Sequence, residues 1–483
     1  MPRGPPEAKR DRRTDPSMTD DSAPGGPAWF DDSKLGVIIH WGAASIPAYA
    51  PVRRAHVPDP VADGDVFERA SNPGWWRTDG DAMMYQNALA LPGSAVARHH
   101  ALHYGDLPYS AFVERFRDET LPAWDPRPWA ELFERAGAGY VVFCAKGEDG
   151  FLLWPSEHPN PRVDGWQSER DAVGDLAAEV RARGMEFGVY YSAWDFATSH
   201  PPVRDLESAL AAVPRDEEYR ERFVSHWKEL VRRYRPVTLW NDYGVSPPGT
   251  DLPALFDWYR SQVPEGLVND RFDLPAQTSG ELPCGYATPE GTTVGPEGRR
   301  WQAVWPLSTG YCFNREETDA DHISPEALVH ALVDIVARGG TMLVNVGPTG
   351  AGAVPWSQSQ RLLALGAWLG EHGEAIRGTR PWSTVHGMTD EGVQTRYTRK
   401  GDDLYAIVLG TPRTRTLGLD LRLHGGARVE QVGRPGPLPW SDSPHGVAVE
   451  LPEAPAPQPA MAVRIGPAGA VEPTGPPPAD GAG

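Results

Sequence analysis

Five short runs of almost uninterrupted apolar residues restrict the folds open to this 483-residue chain. A strand with one face in solvent alternates apolar and polar residues, whereas strands covered on both faces by helices are apolar throughout. The runs are Leu35–His40, Tyr140–Ala145, Glu186–Tyr191, Val237–Trp240 and Thr341–Asn345. They predict a parallel sheet enclosed by helices.

Helical patterns lie between these runs. Residues Asp171–Arg183 carry apolar side chains at helical spacing and are followed by Gly184, which favours a helix end. Ser324 is placed to cap a later helix, with a proline at its first position. Strand and helix patterns alternate from Trp29 to about Pro381, which predicts a (β/α)8-like barrel. A doubly wound sheet is the alternative.

The pattern changes near residue 382, where segments of alternating apolar and polar residues begin. Within Gln394–Leu409 two such segments flank a polar turn, as in a β-hairpin. We therefore predict a catalytic barrel over residues 28–381 and an all-β sandwich over residues 382–466. Residues 1–27 and 467–483 are rich in Pro and Gly and lack apolar periodicity, so both are predicted to be disordered tails.

Composition narrows the partners of the chain. Its net charge of −19 disfavours nucleic acids and anionic lipid surfaces, which need basic proteins. Three cysteines in so long a chain do not form a disulfide framework. Neither a membrane-length apolar segment nor a secretory signal is recognisable, so we expect a cytoplasmic protein that acts on a small molecule and could form a homo-oligomer.

Polar and aromatic side chains follow nearly every predicted strand. In a barrel the carboxyl ends of the strands converge on one face, which holds the active site. Several of these residues are aromatic, and aromatic rings suit stacking on the apolar face of a sugar. The candidate substrate-binding residues are His40, Trp41, Lys146, Glu148, Tyr191, Trp194, Arg271 and Trp301. There are two alternatives. The strand ends could be polar only because the chain enters solvent there, and the tryptophans could fill the barrel core.

Two carboxylates would make such a face a glycosidase site, since hydrolysis of a glycosidic bond uses a nucleophile and an acid/base. Asp242 is the candidate nucleophile, because it stands at a rigid strand end. Glu290, on a Pro- and Gly-rich loop, is the candidate acid/base. Glu281, Glu297 and Glu148 are its alternatives.

Motifs for metal or cofactor binding are weak. His99, His100 and His103 have metal-like spacing but lie in a polar segment without a further clear ligand. The glycine-rich segment 347–352 lacks the Lys-Ser/Thr of a phosphate-binding loop. We expect neither a metal nor a cofactor.

Several segments, in this order, carry a family resemblance: Trp29-Phe30, Lys34–Gly42, Trp129–Tyr140, Asp149–Phe151, Arg170–Ser192, Leu239–Asp242, Val268–Arg271, Leu332–Pro348 and Gly373–Trp382. Together they resemble family 29 of the glycoside hydrolases, the α-L-fucosidases. The resemblance implies a (β/α)8-like barrel with a C-terminal β-sandwich, and retaining hydrolysis without metal or cofactor.

The resemblance also implies roles for individual residues. It places the family nucleophile on Asp242 and the acid/base loop on the stretch that ends at Glu290. Arg271 corresponds to a site arginine, and His40 and Tyr191 to contacts with sugar hydroxyls.

The chain differs from the family at positions that contact the sugar in that family. The family usually has Lys-His-His-Asp-Gly-Phe after the second strand, whereas this chain has Lys146-Gly147-Glu148-Asp149-Gly150-Phe151. A Glu-Trp-Tyr contact falls at Met83-Met84-Tyr85, and a Trp-Glu motif at Trp301-Gln302. We therefore expect a hydrolase with altered glycone specificity, for an amino- or otherwise modified sugar. The alternative is a non-hydrolytic descendant, either a tailoring enzyme of a biosynthetic pathway or a sugar-binding pseudoenzyme.

Overall fold

The structure, a computed structural model, describes residues 26–52, 81–198 and 202–474. Most of the predicted N-terminal tail, residues 1–25, therefore lies outside the described residues. The described chain begins just before a helical turn at Ala28–Asp31, whose Trp29 and Phe30 are buried.

Seven parallel strands form the first sheet. They are β1 (Leu35–Ile39), β2 (Tyr140–Lys146), β3 (Glu186–Tyr191), β4 (Thr238–Asn241), β5 (Leu267–Val268), β6 (Gln302–Pro306) and β7 (Thr341–Val346). Their order is β5-β4-β3-β2-β1-β7-β6, with every neighbouring pair parallel. The five apolar runs are all strands, as the sequence predicts.

Residues 285–291 connect the two outer strands of this sheet. Parallel bridges join Asn269 to Tyr286, Ala287 to Trp301 and Glu290 to Val304. The segment thus takes the eighth strand position between β5 and β6, and the sheet closes on itself. The (β/α)8-like barrel is confirmed, because a doubly wound sheet would leave both edges open.

Helices cover the outside of the barrel and supply the turns between strands. They are α1 (Ala28–Asp31), α2 (Tyr85–Leu89), α3 (Ala95–His103), α4 (Tyr109–Arg115), α5 (Leu121–Ala123), α6 (Arg127–Arg135), α7 (Ala172–Ala182), α8 (Leu206–Ala211), α9 (Glu217–Tyr234), α10 (Leu252–Gln262), α11 (Leu274–Thr278), α12 (Pro325–Ala337) and α13 (Trp356–His372). The predicted cap is present, since Ser324 accepts a hydrogen bond from the Ala327 N–H. Asp171 caps its helix in the same way, by accepting from the Gly174 N–H.

Alternate strand residues belong to two different apolar cores. Ile38, Val142, Tyr190, Trp240 and Val304 pack with one another in a cluster that contains strand residues but no side chain of helices α2–α13. This cluster is therefore the barrel interior. The intervening residues of the same strands pack outward against the helices.

The C-terminal domain contains only strands and short turns. Its strands are β8 (Arg380–Met388), β9 (Gln394–Lys400), β10 (Asp403–Val408), β11 (Thr416–Leu419), β12 (Leu421–Leu423), β13 (Arg428–Gln431), β14 (Trp440–Ser443), β15 (Gly446–Glu450), β16 (Met461–Gly466) and β17 (Val471–Pro473). Sheets ordered β13-β16-β10-β9-β8 and β11-β15-β14 contribute to one apolar core, together with the pair β12-β17. The predicted β domain is present, and its first strand begins two residues before the predicted boundary at residue 382.

The predicted C-terminal tail begins too early in the sequence. Strand β17 pairs antiparallel with β12, and the buried Val471 packs in the domain core. The β domain therefore continues to residue 474 instead of ending at residue 466. The sequence pattern does not reveal this strand for two reasons. The segment around it is rich in Pro and Gly, and three residues are too few to show an alternating pattern.

None of the helices in the described ranges is long and apolar enough to cross a membrane.

Neighbouring residues of β17 give a matched test of this correction. Val471→Asp would bury a charge without a partner and should destabilise the β domain by about 2 kcal/mol, several degrees in its Tm. Glu472→Gln changes an exposed side chain on the same strand and should leave the Tm unchanged. Differential scanning calorimetry compares them, and equal transitions in both variants would contradict the packing of β17.

Candidate active site

The candidate nucleophile Asp242 directly follows β4, on the face where the strands end. The Asn241 side chain before it donates hydrogen bonds to the carbonyls of Val245 and Arg271, at 2.8 and 2.7 Å. The next residue, Tyr243, has a φ of 61°, a left-handed conformation that side chains rarely adopt. Backbone strain of this kind concentrates at functional sites, where the surrounding contacts hold it.

Three donors converge on the Asp242 carboxylate. The Arg271 guanidinium donates from Nη1 to Oδ1 at 2.8 Å, and the Tyr190 hydroxyl donates to Oδ2 at 2.8 Å. The backbone N–H of Tyr243 donates to Oδ1, also at 2.8 Å. These bonds stabilise the negative charge and hold the carboxylate in one orientation.

Arg271 joins the two predicted catalytic carboxylates. The same Nη1 that contacts Asp242 lies 2.5 Å from Glu290 Oε1. Both carboxylates contact the same nitrogen atom. The distance between their nearest oxygens therefore cannot exceed the sum of the two contact distances. This fits the ~5 Å between carboxyl groups in retaining glycosidases, and not the ~6.5–9.5 Å in inverting ones.

Several groups hold the guanidinium itself. Its Nε donates to Thr288 Oγ1 at 2.8 Å, its Nη2 donates to the Thr288 carbonyl at 2.7 Å, and its plane lies 4.8 Å from the Trp240 ring. Burial acts to lower the pKa of Arg271, but the carboxylates of Glu290 and Asp242 raise it well above its usual value. The arginine is thus a permanent cation between the two acids.

The second oxygen of Glu290 accepts a hydrogen bond from the Tyr311 hydroxyl at 2.8 Å. Glu290 itself is buried, whereas the alternatives Glu281 and Glu297 are exposed on their loops. Glu290 forms a backbone β-bridge with Val304 of β6, so the segment that closes the barrel also places Glu290 in the site. The geometry favours Glu290 as the acid/base.

Glu148 lies beside the nucleophile, with an exposed fraction of 1%. Its Oε1 lies 2.9 Å from the Tyr190 hydroxyl oxygen, within hydrogen-bond distance. Its Oε2 has no hydrogen-bond partner among the residues that the structure describes. Burial and the neighbouring Asp242 carboxylate raise the pKa of Glu148 to about 7.

His40 forms the opposite side of Tyr190, with the two ring centroids 5.1 Å apart. Its Nδ1 lies 2.6 Å from Asn345 Oδ1, and Asn345 Nδ2 donates to the Tyr311 carbonyl. The Asn345 oxygen therefore faces His40 and accepts a hydrogen from Nδ1. Burial lowers the pKa of His40, which leaves a neutral ring with Nε2 as an acceptor.

Trp194 also comes to this face and stacks on Tyr243, with ring centroids 3.6 Å apart and an interplanar angle of 9°. Trp41 instead packs edge-on against Phe116 and Trp129, and its Nε1 donates to the Thr349 carbonyl. It lines a small cavity next to Glu148.

Tyr191 does not enter the site, contrary to the sequence prediction. Its hydroxyl pairs with His226 of α9 at 2.8 Å, on the outside of the barrel. Successive strand residues face opposite sides of a sheet, so Tyr190 takes the inward position. In a run that is apolar throughout, the sequence does not show which of two adjacent tyrosines faces inward.

Lys146 and Trp301 are likewise not brought to the sugar face. A bulge between Cys144 and Lys146 turns the lysine outward, where Nζ donates to the Ser192 carbonyl and lies over the Tyr191 ring. Trp301 precedes β6 and is therefore at the amino end of that strand, opposite the site.

Tyr190 and Tyr311 are the functional residues that the sequence did not single out. Tyr190 would have followed from the inward register of β3. Tyr311 lies in a loop, and no sequence signal placed it near Glu290.

The three histidines with metal-like spacing are used in packing. His99 stacks on Tyr49, and His100 pairs with the Tyr85 hydroxyl at 2.8 Å. Among the described residues, no group of three or more His, Cys, Asp or Glu could hold a metal ion.

A closed barrel with two carboxylates joined by one arginine at its carboxyl face defines a glycoside hydrolase site. The sequence matches the profile of the family described as "Alpha-L-fucosidase" over residues 6–374. Tissue alpha-L-fucosidase of Bos taurus is 29% identical over 447 residues, which cover 89% of this chain and 85% of that protein. Plasma alpha-L-fucosidase of Rattus norvegicus is 30% identical, over 88% of this chain and 87% of its own length.

Solved structures agree. Thermotoga maritima alpha-fucosidase in complex with fucose is 33% identical and has a TM-score of 0.78, with 91% of this chain and 97% of that chain covered. The chain therefore belongs to the alpha-L-fucosidase family, a family of retaining glycoside hydrolases.

Replacement of the nucleophile gives the most direct test of the site. Asp242→Gly should lower kcat by about four orders of magnitude, because glycine has no side chain that could form the covalent intermediate. Asp195→Asn is the matched control, since Asp195 follows β3 but pairs with Arg222 instead of Arg271. Kinetics on aryl glycosides check both, and near-normal turnover by Asp242→Gly would move the nucleophile elsewhere.

The acid/base has a different kinetic signature. Glu290→Ala should impair substrates with poor leaving groups far more than activated aryl glycosides, because only the former need protonation. Added azide should partly restore its turnover by taking the place of activated water. Glu297→Ala, an exposed glutamate on the same loop, should behave as wild type; an equal loss on both substrate classes would argue against Glu290.

Proposed function

We propose that this protein is a retaining hydrolase of α-L-fucoside-like glycosides whose glycone carries a substituent that Glu148 recognises. Support comes from one observation above the others: next to Asp242 lies a buried carboxyl oxygen, Glu148 Oε2, that has no hydrogen-bond partner in the described part of the chain. Buried polar groups normally have partners, and a site that leaves one unpaired is suited to a ligand that pairs it.

Each catalytic group has a defined part in the proposed reaction. Asp242 attacks the anomeric carbon while Glu290 gives a proton to the departing oxygen. Glu290 then removes a proton from water, which releases the sugar from Asp242. Arg271 keeps both carboxylates at one distance, and Tyr190 holds the second oxygen of Asp242.

The alternatives for Glu148 are less well supported. It does not turn to solvent, since its exposed fraction is 1%. It does not pair with Lys146, whose Nζ donates to the carbonyls of Ser192 and Trp194 at 2.9 and 2.5 Å. Within the described ranges no arginine forms an ion pair with it either. A substrate group is therefore the proposed partner.

A cavity of about 30 Å³ next to Glu148 leaves room for such a group. Gly147 lines it, at a position where the family resemblance has a bulkier histidine, and so does Met83, where the resemblance has a glutamate. A Cβ added at Gly147 would meet only Asp149 Oδ1 at 3.8 Å and Cys144 Sγ at 4.0 Å, which are ordinary contacts. The glycine thus enlarges the site without being required by its backbone.

The chemistry of the substituent depends on the proton of Glu148. As a neutral acid it exchanges hydrogen bonds with hydroxyls, and as a carboxylate it pairs with an ammonium group. A charge-assisted bond to an ammonium is worth about 1.5–3 kcal/mol, or roughly ten- to a hundredfold in affinity. An amino-substituted sugar is the glycone class that we propose.

The non-hydrolytic descendant has no comparable support, since both catalytic carboxylates and their arginine are in contact. The cytoplasm stays a prediction for the location of the protein.

The experiment is a panel of neutral and amino-substituted aryl glycosides. The wild type should prefer the amino-substituted members, and its kcat/KM on them should rise as pH increases through about 7, where Glu148 loses its proton. The double change Gly147→His with Glu148→His should shift the preference ten- to a hundredfold toward plain α-L-fucosides. Gly147→Ala, which narrows the cavity but keeps the carboxyl, is the matched control and should retain the rise with pH. An unchanged preference in the double variant would show that this loop does not determine which sugar the enzyme prefers.

A further inference from the structure

The Tyr190 hydroxyl lies between two carboxyl groups. Its oxygen is 2.9 Å from Glu148 Oε1 and 2.8 Å from Asp242 Oδ2. A tyrosine hydroxyl carries one hydrogen, so it can donate to only one of them. If both carboxyls were ionised, the other contact would bring two oxygens together without a hydrogen, which is repulsive. The geometry requires one more proton in this group of three.

Glu148 is the carboxyl that holds this proton. Asp242 has the Arg271 cation and the Tyr243 N–H to stabilise its charge, whereas Glu148 has no cationic partner among the described residues, and the groups that hydrogen-bond to it, such as the shared hydroxyl, are neutral. A buried carboxylate without a cation is costly, and it takes up a proton instead. The raised pKa of Glu148, which has burial as its largest cause, agrees with this placement.

The groups around Glu148 do not offer another source of charge. Lys146, on β2, is turned to backbone carbonyls, and the Asp149 carboxyl on the same loop adds negative charge. Tyr243 after β4 and the thiols of Cys144 and Cys312 have pKa values raised by burial, so they are neutral.

We propose that Glu148 is a positioning residue for the nucleophile: its protonated carboxyl donates to the Tyr190 oxygen, which directs the single Tyr190 hydrogen to Asp242. The chain of hydrogen bonds runs in one direction, from Glu148 through Tyr190 to Asp242. No bond is made or broken by it. Its effect is to keep Asp242 Oδ2 fixed while Oδ1 is held by Arg271.

A dependence on pH follows. When Glu148 ionises, its carboxylate competes for the Tyr190 hydrogen, and Asp242 loses a donor. Turnover of neutral fucosides should then fall roughly ten- to a hundredfold as pH rises through about 7, which is the loss of one hydrogen bond to a charged group. An ammonium on the glycone would compensate the Glu148 charge, so amino-substituted substrates should not show this fall.

Infrared spectroscopy tests the proton itself, without any need for turnover. The wild type should show protonated-carboxyl absorption at pH 6 that disappears by pH 8, and Glu148→Gln should lose one component of it while the component of Glu317 remains. Glu317→Gln is the control, because burial also raises the pKa of Glu317 to about 7 although it hydrogen-bonds to Thr309. A band that is identical in wild type and Glu148→Gln would overturn the inference.

The link to the nucleophile is tested by labelling Asp242 with an activated 2-fluoro-fucoside at several pH values. Such a leaving group needs no proton from Glu290, so the profile reports on the nucleophile side alone. The fall near pH 7 should be present in the wild type and Glu317→Gln, absent in Glu148→Gln, and absent in Tyr190→Phe, in which the chain is cut. A fall that persists in Glu148→Gln would overturn the inference.

This inference rests on the proposed hydrolase function only for the labelling arm. If no variant is labelled and no glycoside is turned over, the proposed function fails, while the infrared bands still decide where the proton lies. If labelling occurs but the infrared difference is missing, the hydrolase stands and the positioning role of Glu148 is wrong.

Discussion

One buried guanidinium organises this active site. Arg271 contacts Asp242 and Glu290 through a single nitrogen, so one positive charge is shared between two acidic side chains. A buried ion pair is stable only when its geometry is good and its remaining donors are satisfied, and Thr288 satisfies the other donors of Arg271. The distance between the two acids, on which the retaining mechanism depends, is therefore set by the arginine.

The barrel and the site depend on the same segment. Residues 285–291 close the sheet between β5 and β6 and also deliver Thr288 and Glu290 to the arginine. The Pro- and Gly-rich character of this stretch obscures its strand role, since only isolated bridges hold it. Changes in it should thus affect fold and chemistry together, unlike changes in the Glu148 loop, for which we propose a role in specificity.

Under the proposed function, the glutamate at position 148 changes both the substrate preference of the site and its protonation. Where the family resemblance has a neutral histidine, this chain has an acid whose burial keeps it neutral at moderately low pH. As a neutral acid it both donates and accepts hydrogen bonds, as a neutral histidine does. Above neutral pH it becomes an anion, which a histidine cannot. In the proposed function, the site thus keeps its hydrogen-bonding capacity and gains a preference for positive charge.

The sequence by itself determined the barrel and the β domain and singled out Asp242 and Glu290 as candidates, because apolar runs, strand ends and family motifs are local in the chain. Only the tertiary structure decided which of two neighbouring side chains lies in the candidate site. Tyr190 enters the site instead of Tyr191 because of strand register, and a bulge turns Lys146 away from it. Tyr311 joins the site through a loop whose path is set by contacts from distant segments, such as Asn345. Register, bulges and loop paths depend on pairing between segments far apart in the chain, and a local pattern of residues does not contain that information.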